Sequence, residues 1–363
     1  MSKAQSVNPY CPIRIGARQI RLLERLCNAC AVSGDEGEVR KIVLEEIRPV
    51  VDQVKVDALG NVLAIRSGSG QGPRLRVMLD AHMDEVGFML TQDEGDGIFR
   101  FDTVGGIDVR QLAGKPVWIG QEHIPGVIGA KPIHLTEEKE LDTPISLETL
   151  RIDVGPGNTK VKIGDRATFA THFLRIGPSL RAKALDNRLG VVILIELLKN
   201  PPANVDLLAA FSTQEVIGAR GARVAAFTYD PDLAVVVDST PANDLPSWDD
   251  SENVTYNTRL GEGPALYIAD AGTLSDPRLI QHFIQTAEYF NIPYQIRQPG
   301  SGGTDAGAIH RQRAGIPSLS ISIPGRYPHT AASIARIADW QNTLSLLYAA
   351  LERLTPAVLA EER

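Results

Sequence analysis

The chain has 363 residues, of which 43% are hydrophobic and 22% are charged, values typical of globular proteins. Its net charge of −7, with no basic run longer than a pair, excludes a nucleic-acid or anionic-membrane surface as the expected function and favours small molecules or peptides as partners. The longest apolar stretch, 191–198, is too short to span a bilayer and the N-terminus lacks the apolar region of a signal peptide, so a cytoplasmic protein is expected.

Apolar runs of strand length alternate along the chain with helical patterns. The predicted strands are 75–79, 205–212, 233–237 and 318–323, and the predicted helices are 183–200, 275–290 and 337–354. Continuous apolar runs are typical of strands that are buried on both faces. The fold class is therefore expected to be α/β, with a mixed, largely parallel sheet flanked by helices.

The segment 88–181 breaks this alternation. It contains many short strand-like pieces separated by Gly and Pro, and no convincing long helix. Such spacing predicts a small β-barrel or sandwich that is inserted into the α/β domain.

Three cysteines, Cys11, Cys27 and Cys30, are an odd number in a long chain, which does not indicate a disulfide framework. Cys27 and Cys30 form a C-x-x-C pattern, but they lie in a helical pattern where they share one face. Buried thiols are therefore predicted here rather than a redox or zinc pair.

Polar residues that could bind a metal follow the predicted strands or open a predicted helix. In chain order they are His82 and Asp84, Asp186, Glu215, Asp238 and His329. In open α/β sheets, ligands bind beyond the carboxyl ends of the strands, so we expect these side chains to meet at one edge. Imidazole and carboxylate ligands without thiolates are typical of hydrolytic Zn²⁺, Co²⁺ or Mn²⁺ sites. In the H-x-D pattern, Asp84 is expected to accept the N–H of His82 and orient its ring.

Each of these residues also has an ordinary structural explanation. Asp186 could cap a helix, Asp238 could cap a turn and His329 could be a loop histidine. Asp305 follows glycines and could bind an anion or cap a helix, and the cap is predicted. Structural roles are predicted for the other histidines, His123, His134, His172, His282 and His310.

The sequence resembles the M42 family of metalloaminopeptidases, the glutamyl and deblocking aminopeptidases that assemble as tetrahedral particles. The motifs that support this resemblance are, in order, "AVSGDEGEVR", "DAHMDEVGFM", "KALDNRLG", "STQEVIGARGA" and "GSGGTDAGAIH". The resemblance implies a zinc-peptidase-like catalytic α/β domain formed by residues 1–87 and 182–363. It also implies that the insert, 88–181, mediates assembly of homo-oligomers, with dimers building toward a dodecamer.

The resemblance further implies a centre of two divalent metal ions, zinc or cobalt, with manganese as another candidate. Carried over by position, His82 and Asp238 would hold one metal, Asp186 would bridge, His329 would help hold the second and Asp84 would orient His82. Peptides would be the substrates.

One position departs from the family pattern, which has two adjacent glutamates: a general base followed by a ligand of the second metal. Alignment without gaps places Glu215 at the base position and Val216 at the ligand position, where valine cannot bind a metal. An alignment shifted by one makes Glu215 the ligand and Gln214 the base-position residue, but it requires an inserted residue. The gapless alignment is preferred, and a weak or absent second metal is then expected. The nearest later carboxylates in sequence are Asp249, Asp250 and Glu252.

The expected function is therefore removal of N-terminal residues from peptides, with Glu215 as general base on the attacking water. Two alternatives are a related metal-dependent deacylase or amidohydrolase, and a catalytically weakened scaffold. Glycoside hydrolysis is disfavoured because it generally needs two opposed carboxyl groups.

Overall fold

The computed structural model describes residues 13–249, 251, 253, 254, 257–298, 300–360 and 362. The N-terminal stretch with Cys11 lies outside the described residues, as do Asp250 and Glu252. The strands are β1 (Gln53–Val56), β2 (Val62–Arg66), β3 (Leu75–His82), β4 (Gly87–Gly95), β5 (Ile98–Val104), β6 (Pro116–Ile119), β7 (Ile124–Gly129), β8 (Arg151–Asp153), β9 (Arg166–Phe169), β10 (Leu174–Ile176), β11 (Ser179–Ala182), β12 (Val205–Ser212), β13 (Leu233–Pro241), β14 (Ala265–Leu266), β15 (Gln295–Ile296), β16 (Ser318–Arg326) and β17 (Ser333–Arg336). The helices are α1 (Ala17–Asn28), α2 (Gly37–Ile47), α3 (Glu138–Leu141), α4 (Leu185–Lys199), α5 (Arg220–Tyr229), α6 (Pro277–Phe290), α7 (Ala306–Ile309), α8 (Ile337–Arg353) and α9 (Ala357–Ala360), with 3-10 turns at Val109–Gln111, Ile133–Leu135 and Leu147–Thr149.

A large mixed sheet forms the centre of the fold. Among the described residues its strand order is β1-β2-β12-β3-β13-β16-β17-β11-β10, and β14 and β15 are joined at the side of β16. The neighbours β12, β3, β13 and β16 are parallel, whereas β2 runs antiparallel to β12. The predicted α/β class is confirmed, with the parallel pairing concentrated in these four central strands.

The four central strands are apolar along most of their length because helices cover both faces of the sheet. On one face, Leu23 of α1, Leu194 of α4 and Leu347 of α8 belong to one buried cluster with the strands. On the other face, Ala226 of α5 and Ile309 of α7 belong to a smaller cluster. Complete burial of one leucine side chain contributes about 1.5–3 kcal/mol, so these two layers stabilise the platform on which the site is built.

The predicted helix starts and ends agree closely with the structure. Asp276 is the N-cap of α6, its side chain accepts the backbone N–H of Arg278 at 3.0 Å, and Pro277 occupies the first turn, where proline has no N–H to lose. Among the described residues, no helix is both long enough and apolar enough to cross a membrane.

The insert forms a closed barrel with the strand order β4-β5-β8-β7-β6-β9. Phe88 lies at its centre and contacts Phe101 and Phe169 edge to face, each with 5.2 Å between ring centroids, which is a favoured aromatic geometry. The strands β10 and β11, in contrast, pair with each other, and β11 also pairs with β17 of the large sheet. The last residues of the segment 88–181 therefore belong to the large sheet rather than to the barrel.

A buried ion cluster joins the barrel to the large sheet. Glu85, just before β4, lies 2.6 Å from Lys183 Nζ and 3.2 Å from Arg188 Nη2, and it accepts the hydroxyl of Thr168 in β9 at 3.0 Å. Burial opposes ionisation, but the two cations hold the pKa of Glu85 below its ordinary value. Removal of one partner from a buried pair generally costs about 3–5 kcal/mol, so this cluster fixes the barrel next to the H-x-D segment.

Candidate metal centre

The carboxyl ends of the central strands meet at one edge of the sheet, and the predicted site residues lie there. His82 is the last residue of β3, and Asp238 is in the neighbouring strand β13. Glu215 follows β12, whose last residue, Ser212, is in register with His82. His329 follows β16, on the other side of β13. Parallel pairing therefore brings side chains from four separate chain segments to the same edge.

Asp186 reaches this edge from the first turn of α4. The side chain of the next residue, Asn187, donates to the carbonyl oxygen of Val237 at 2.7 Å and accepts the N–H of Gly190 at 3.2 Å. A Cβ atom on Gly190 would lie 2.4 Å from Asn187 Oδ1 and 2.8 Å from the Val237 carbonyl oxygen. Glycine is thus required for the close approach of α4 to β13 that places Asp186 beside Asp238. The Asp186–Asn187 peptide bond is cis.

His82 is the centre of the group. Its Nε2 atom lies 3.2 Å from Asp186 Oδ1, 3.6 Å from Asp238 Oδ1 and 4.0 Å from Glu215 Oε2. One ligand atom from each of His82, Asp186 and Asp238 lies within 4.8 Å of the others. These distances allow one small cation to contact an imidazole and two carboxylates after small side-chain adjustments.

Asp84 lies behind His82. His82 Nδ1 is 3.1 Å from the main-chain oxygen of Asp84 and 3.4 Å from its Oδ1 atom, so the ring directs its other nitrogen toward Asp186. The Asp84 carboxylate also accepts the hydroxyl of Ser33 at 2.8 Å and the backbone N–H groups of Glu215 at 3.0 Å and Val216 at 3.2 Å. One carboxylate therefore connects the orientation of His82 to the backbone of Glu215.

The site has an excess of buried negative charge. Burial raises the pKa of Glu215 well above its ordinary value and also raises that of Asp238. Burial lowers the pKa of His82, yet the hydrogen bonds with Asp186 and Asp238 hold it well above its ordinary value. The carboxylates of Asp186, Asp238 and Asp84 thus favour a proton on the His82 imidazole. A metal ion could take the place of that proton. Such a donor set fits a divalent cation, since buried charges are otherwise costly.

His329 extends the group on the far side of Asp186. Its Nε2 atom lies 3.4 Å from Asp186 Oδ2, and its Nδ1 atom lies 2.9 Å from the carbonyl oxygen of Gly106 in the loop after β5. The contact with Asp186 raises the pKa of His329. Asp186 therefore has one carboxylate oxygen next to each imidazole, which is the arrangement expected of a bridging ligand.

A cavity of about 240 Å³ opens above these residues. Its wall includes His82, Asp186, Glu215, Asp238, Ser239, Pro241, Tyr267, Arg297, Ser301, Gly302, Gly303, Pro328 and His329. Arg297 is only 6% exposed, and its guanidinium carbon lies 4.6 Å from the centre of the Tyr267 ring. Its Nη2 atom donates to the Ser301 carbonyl oxygen at 3.0 Å, whereas its Nε and Nη1 atoms have no hydrogen-bond partner among the described residues. The cavity thus combines an acidic floor with one cationic side chain.

Comparison with known proteins places this site in a family. The profile of the M42 glutamyl aminopeptidases matches residues 60–346. The chain belongs to the M42 peptidase family. The predicted relationship to M42 aminopeptidases is thereby confirmed.

Relatives and solved structures match this M42 chain over nearly its whole length. A lysyl aminopeptidase of Pyrococcus furiosus is 32% identical over 350 residues, which are 92% of this chain and 97% of that protein. The solved structure of an aminopeptidase from the archaeon Desulfurococcus kamchatkensis has a TM-score of 0.88 at 32% identity, covering 94% of this chain and 96% of the other. The TET1 peptidase of Pyrococcus horikoshii, described as able to assemble into a tetrahedron or a large octahedral shell, has a TM-score of 0.80 at 30% identity, covering 93% and 100%. The predicted zinc-peptidase-like fold is consistent with these neighbours.

The two alignments of the glutamate motif in this M42 peptidase differ in which side chain faces the site. Of the residues that the structure describes, Glu215 lines the cavity and Gln214 does not. Glu215 approaches His82, whereas Asp186 is the carboxylate that contacts His329. This geometry favours the gapless alignment, in which Glu215 occupies the base position.

In the gapless alignment, Val216 takes the position of the second glutamate of the motif. A Cβ atom on Gly105 would lie 2.9 Å from Val216 Cγ2, so the valine packs against the loop that holds His329. Of the later carboxylates, Asp249 is exposed and accepts hydrogen bonds from Ser251, while Asp250 and Glu252 lie outside the described residues. Among the described side chains, the His329 side of the site therefore has Asp186 and His329 as its identified donors.

Three residues near the M42 site were missed by sequence reasoning. Asn187 was visible beside Asp186, but its bond to β13 depends on the three-dimensional approach of α4. Ser33 donates its hydroxyl to Asp84, which lies 51 residues later in the chain. Its segment belongs to the motif "AVSGDEGEVR", but nothing in that motif indicates this contact. Arg297 follows a two-residue strand, which no periodicity could detect.

The prediction that Asp305 caps a helix is wrong. Asp305 precedes α7, but its side chain makes no capping hydrogen bond. It instead accepts the hydroxyl of Ser212 at 2.9 Å, and the same hydroxyl lies 3.2 Å from Asp80 Oδ2. Burial raises the pKa of Asp305 to about 6, since this carboxyl lies inside the fold rather than at a solvated helix end.

The remaining histidines lie in varied surroundings. His282 Nε2 contacts the Ala350 carbonyl oxygen at 2.8 Å and His310 Nδ1 contacts the Ala306 carbonyl oxygen at 2.7 Å. His134 lies in a 3-10 turn, and His172 packs edge to face against Trp118. His123 Nε2 lies 2.6 Å from Glu38 Oε1.

Proposed function

We propose that the chain is a metal-dependent aminopeptidase that removes N-terminal residues from peptides. The observation that supports this most strongly is the convergence of an imidazole and three carboxylates from three strands and the start of α4 on one cavity: His82, Asp186, Glu215 and Asp238. Family membership supports peptide hydrolysis, and the donor set supports a metal. Zinc and cobalt suit such nitrogen and oxygen donors, and manganese is a further candidate.

The proposed metal ligands are His82, Asp186 and Asp238, with His329 beside a second position. A bound divalent metal supplies Lewis-acid polarisation of the scissile carbonyl and lowers the pKa of the attacking water. Asp84 acts as a positioning residue, because it contacts His82 Nδ1 and holds the backbone of Glu215.

Glu215 is the proposed general base. It is largely buried and lines the cavity beside His82, which places its carboxylate where it can move a proton from the attacking water. Glu215 would take a proton from the attacking water and return it to the leaving amine. Its carboxylate is then restored for the next turnover.

Arg297 is the proposed determinant of substrate preference. A buried guanidinium with free N–H groups is costly unless a ligand completes its hydrogen bonds, and the planar fork matches a carboxylate. We propose that Arg297 binds the side-chain carboxylate of an N-terminal glutamate or aspartate. The relatives include both a glutamyl and a lysyl aminopeptidase, so family membership alone does not indicate which N-terminal residue is preferred. The proposed preference therefore rests on Arg297.

Turnover of a panel of aminoacyl p-nitroanilides tests the proposed function. After chelation and dialysis, we expect no hydrolysis, and we expect added Zn²⁺, Co²⁺ or Mn²⁺ to restore it because the proposed centre depends on a divalent ion. N-acyl amino acids form the matched control panel: their preferential cleavage would indicate a deacylase. Lack of turnover on both panels with every metal would indicate a scaffold and contradict the proposal.

The absence of a carboxylate at Val216 predicts a weak second metal site. With Cys30→Ser present in every protein, so that only ions of the catalytic centre are counted, we expect the parent to keep one tightly held ion per chain after dialysis and Val216→Glu to keep two, because the family pattern has a metal-binding carboxylate at this position. Elemental analysis of both proteins measures this. Val216→Gln is the matched control, since it has similar length without the charge and should remain at one. Two tightly held ions in the Cys30→Ser parent would contradict the prediction.

The barrel is the proposed assembly domain. Its loops expose Ile133, Leu135 and Leu141, at 68%, 68% and 59%, and large exposed apolar groups often mark protein interfaces. The TET1 neighbour is described as assembling into closed shells, which supports a homo-oligomer here. Analytical ultracentrifugation of the purified chain would reveal a particle, and a monomer at all concentrations would contradict the proposal.

A further inference from the structure

A second group of metal-binding side chains lies away from the candidate metal centre, where the barrel meets the α/β part of the chain. Cys30 follows α1, Glu38 is in the first turn of α2, and His123 is in the turn between β6 and β7. One ligand atom from each lies within 4.8 Å of the others. We propose that Cys30, Glu38 and His123 bind a zinc or cobalt ion that joins the barrel to the α/β part.

Glu38 is already held in a position to bind. Its Oε2 atom accepts the backbone N–H of Cys30 at 3.0 Å, and its Oε1 atom lies 2.6 Å from His123 Nε2. Donor atoms of a tetrahedral zinc site lie roughly 3.3–3.8 Å apart, given the usual bond lengths. An ion would therefore need only a small separation of Glu38 from His123, within the freedom of two half-buried side chains.

The imidazole of His123 is also fixed in orientation. Its ring stacks on Trp118, with 5.7 Å between centroids and 15° between planes. The backbone of His123 has a φ of 52°, in the left-handed region that most residues other than glycine avoid. Backbone strain of this kind is tolerated where a side chain must be held in one place, which agrees with a ligand role.

The thiol determines which metals fit. Burial raises the pKa of Cys30 to about 12, so the free protein has a protonated thiol at neutral pH. Binding of the ion displaces this proton to solvent and leaves a thiolate–metal bond. Thiolate donors select zinc and cobalt over the harder manganese, magnesium and calcium ions.

The surroundings leave room for a fourth ligand. A cavity of about 460 Å³ adjoins the three residues, so water can complete a tetrahedral site. Lys41, Arg166 and Asp35 also line this cavity, which means that overall charge does not attract a cation strongly. The chemistry of the three donors is what makes the site selective.

Cobalt absorption tests this site separately from the catalytic centre, because the proposed catalytic ligands include no thiolate. We expect the apo protein loaded with Co²⁺ to show sulfur-to-cobalt charge-transfer absorption in the near ultraviolet. Cys30→Ser should lose this absorption and bind one cobalt ion fewer per chain, while its aminopeptidase rate with the catalytic centre loaded remains unchanged. His123→Ala, in an exposed turn, should lose the same ion and serves as a second variant if Cys30→Ser is unstable.

The other cysteines provide matched controls. Cys27 is completely buried in α1, and Cys27→Ala and Cys11→Ser should both keep the absorption band. A wild type without the band at cobalt saturation would mean that Glu38 and His123 form only an ion pair beside a thiol. Persistence of the band in Cys30→Ser would assign the thiolate to another residue. Either result would overturn the proposal, and neither bears on the catalytic centre.

Discussion

Glu215→Gln is expected to lower kcat by about 10²- to 10⁴-fold, the usual contribution of a general base, with the metal still bound. Glutamine has nearly the same shape as glutamate but cannot take a proton from water. The backbone N–H of residue 215 would still donate to Asp84, so the arrangement around His82 should be preserved. Steady-state kinetics on the best p-nitroanilide, with elemental analysis of the same preparation, measures both quantities.

Gln214→Asn is the matched control for this experiment. Gln214 has a φ of 58°, which asparagine tolerates well, so the substitution shortens the side chain without disturbing the turn. We expect nearly normal kcat from this variant. A large loss in Gln214→Asn, combined with loss of metal in Glu215→Gln, would support the shifted alignment of the glutamate motif. A normal rate in Glu215→Gln would contradict the assignment of the base.

The large elements of the fold were predictable because their sequence signals are local. The apolar run before His82 and the one before Glu215 are long enough to identify buried strands, and burial of parallel strands implies that their carboxyl ends share an edge. That topological rule predicts that His82, Glu215 and Asp238 meet, whereas Asp186 reaches the same edge from the first turn of α4. The closed barrel was harder to define, since β10 and β11 have the same strand-like sequence as the barrel strands but pair with each other, and β11 also pairs with β17 of the large sheet.

Details of the site depended on contacts between distant segments. The glycines before a short helix predict a capping role for Asp305, but the neighbouring strands β12 and β3 place Ser212 and Asp80 near it instead. Helical spacing predicts that Cys30 is buried together with Cys27, but Cys30 is only partly buried. α1 ends at Asn28, so Cys30 lies beyond the helix and is free to face Glu38. Arg297 gave no sequence signal, since its importance arises from burial beside a cavity.

Arg297→Met is expected to lower kcat/KM for glutamyl and aspartyl p-nitroanilides by roughly 10²-fold, because loss of one partner of a buried charge pair costs about 2–5 kcal/mol. Methionine keeps much of the length and apolar contact of the arginine stem against Tyr267 but cannot bind a carboxylate. Leucyl p-nitroanilide is the matched control substrate, and its turnover by the same variant should be close to that of the wild type.

Charge reversal gives the sharper form of this prediction. Arg297→Glu should favour lysyl and arginyl substrates over glutamyl ones. An unpaired carboxylate in the cavity that also contains Asp186 and Asp238 would need a cationic partner. The ratio of kcat/KM for lysyl and glutamyl p-nitroanilides measures this change of substrate preference, and it does not depend on the fraction of active enzyme in the preparation. Equal losses on all substrates in Arg297→Met would assign Arg297 a purely structural role. A wild type that prefers basic or apolar N-terminal residues would contradict the proposed preference itself, while leaving the assignment of Glu215 intact.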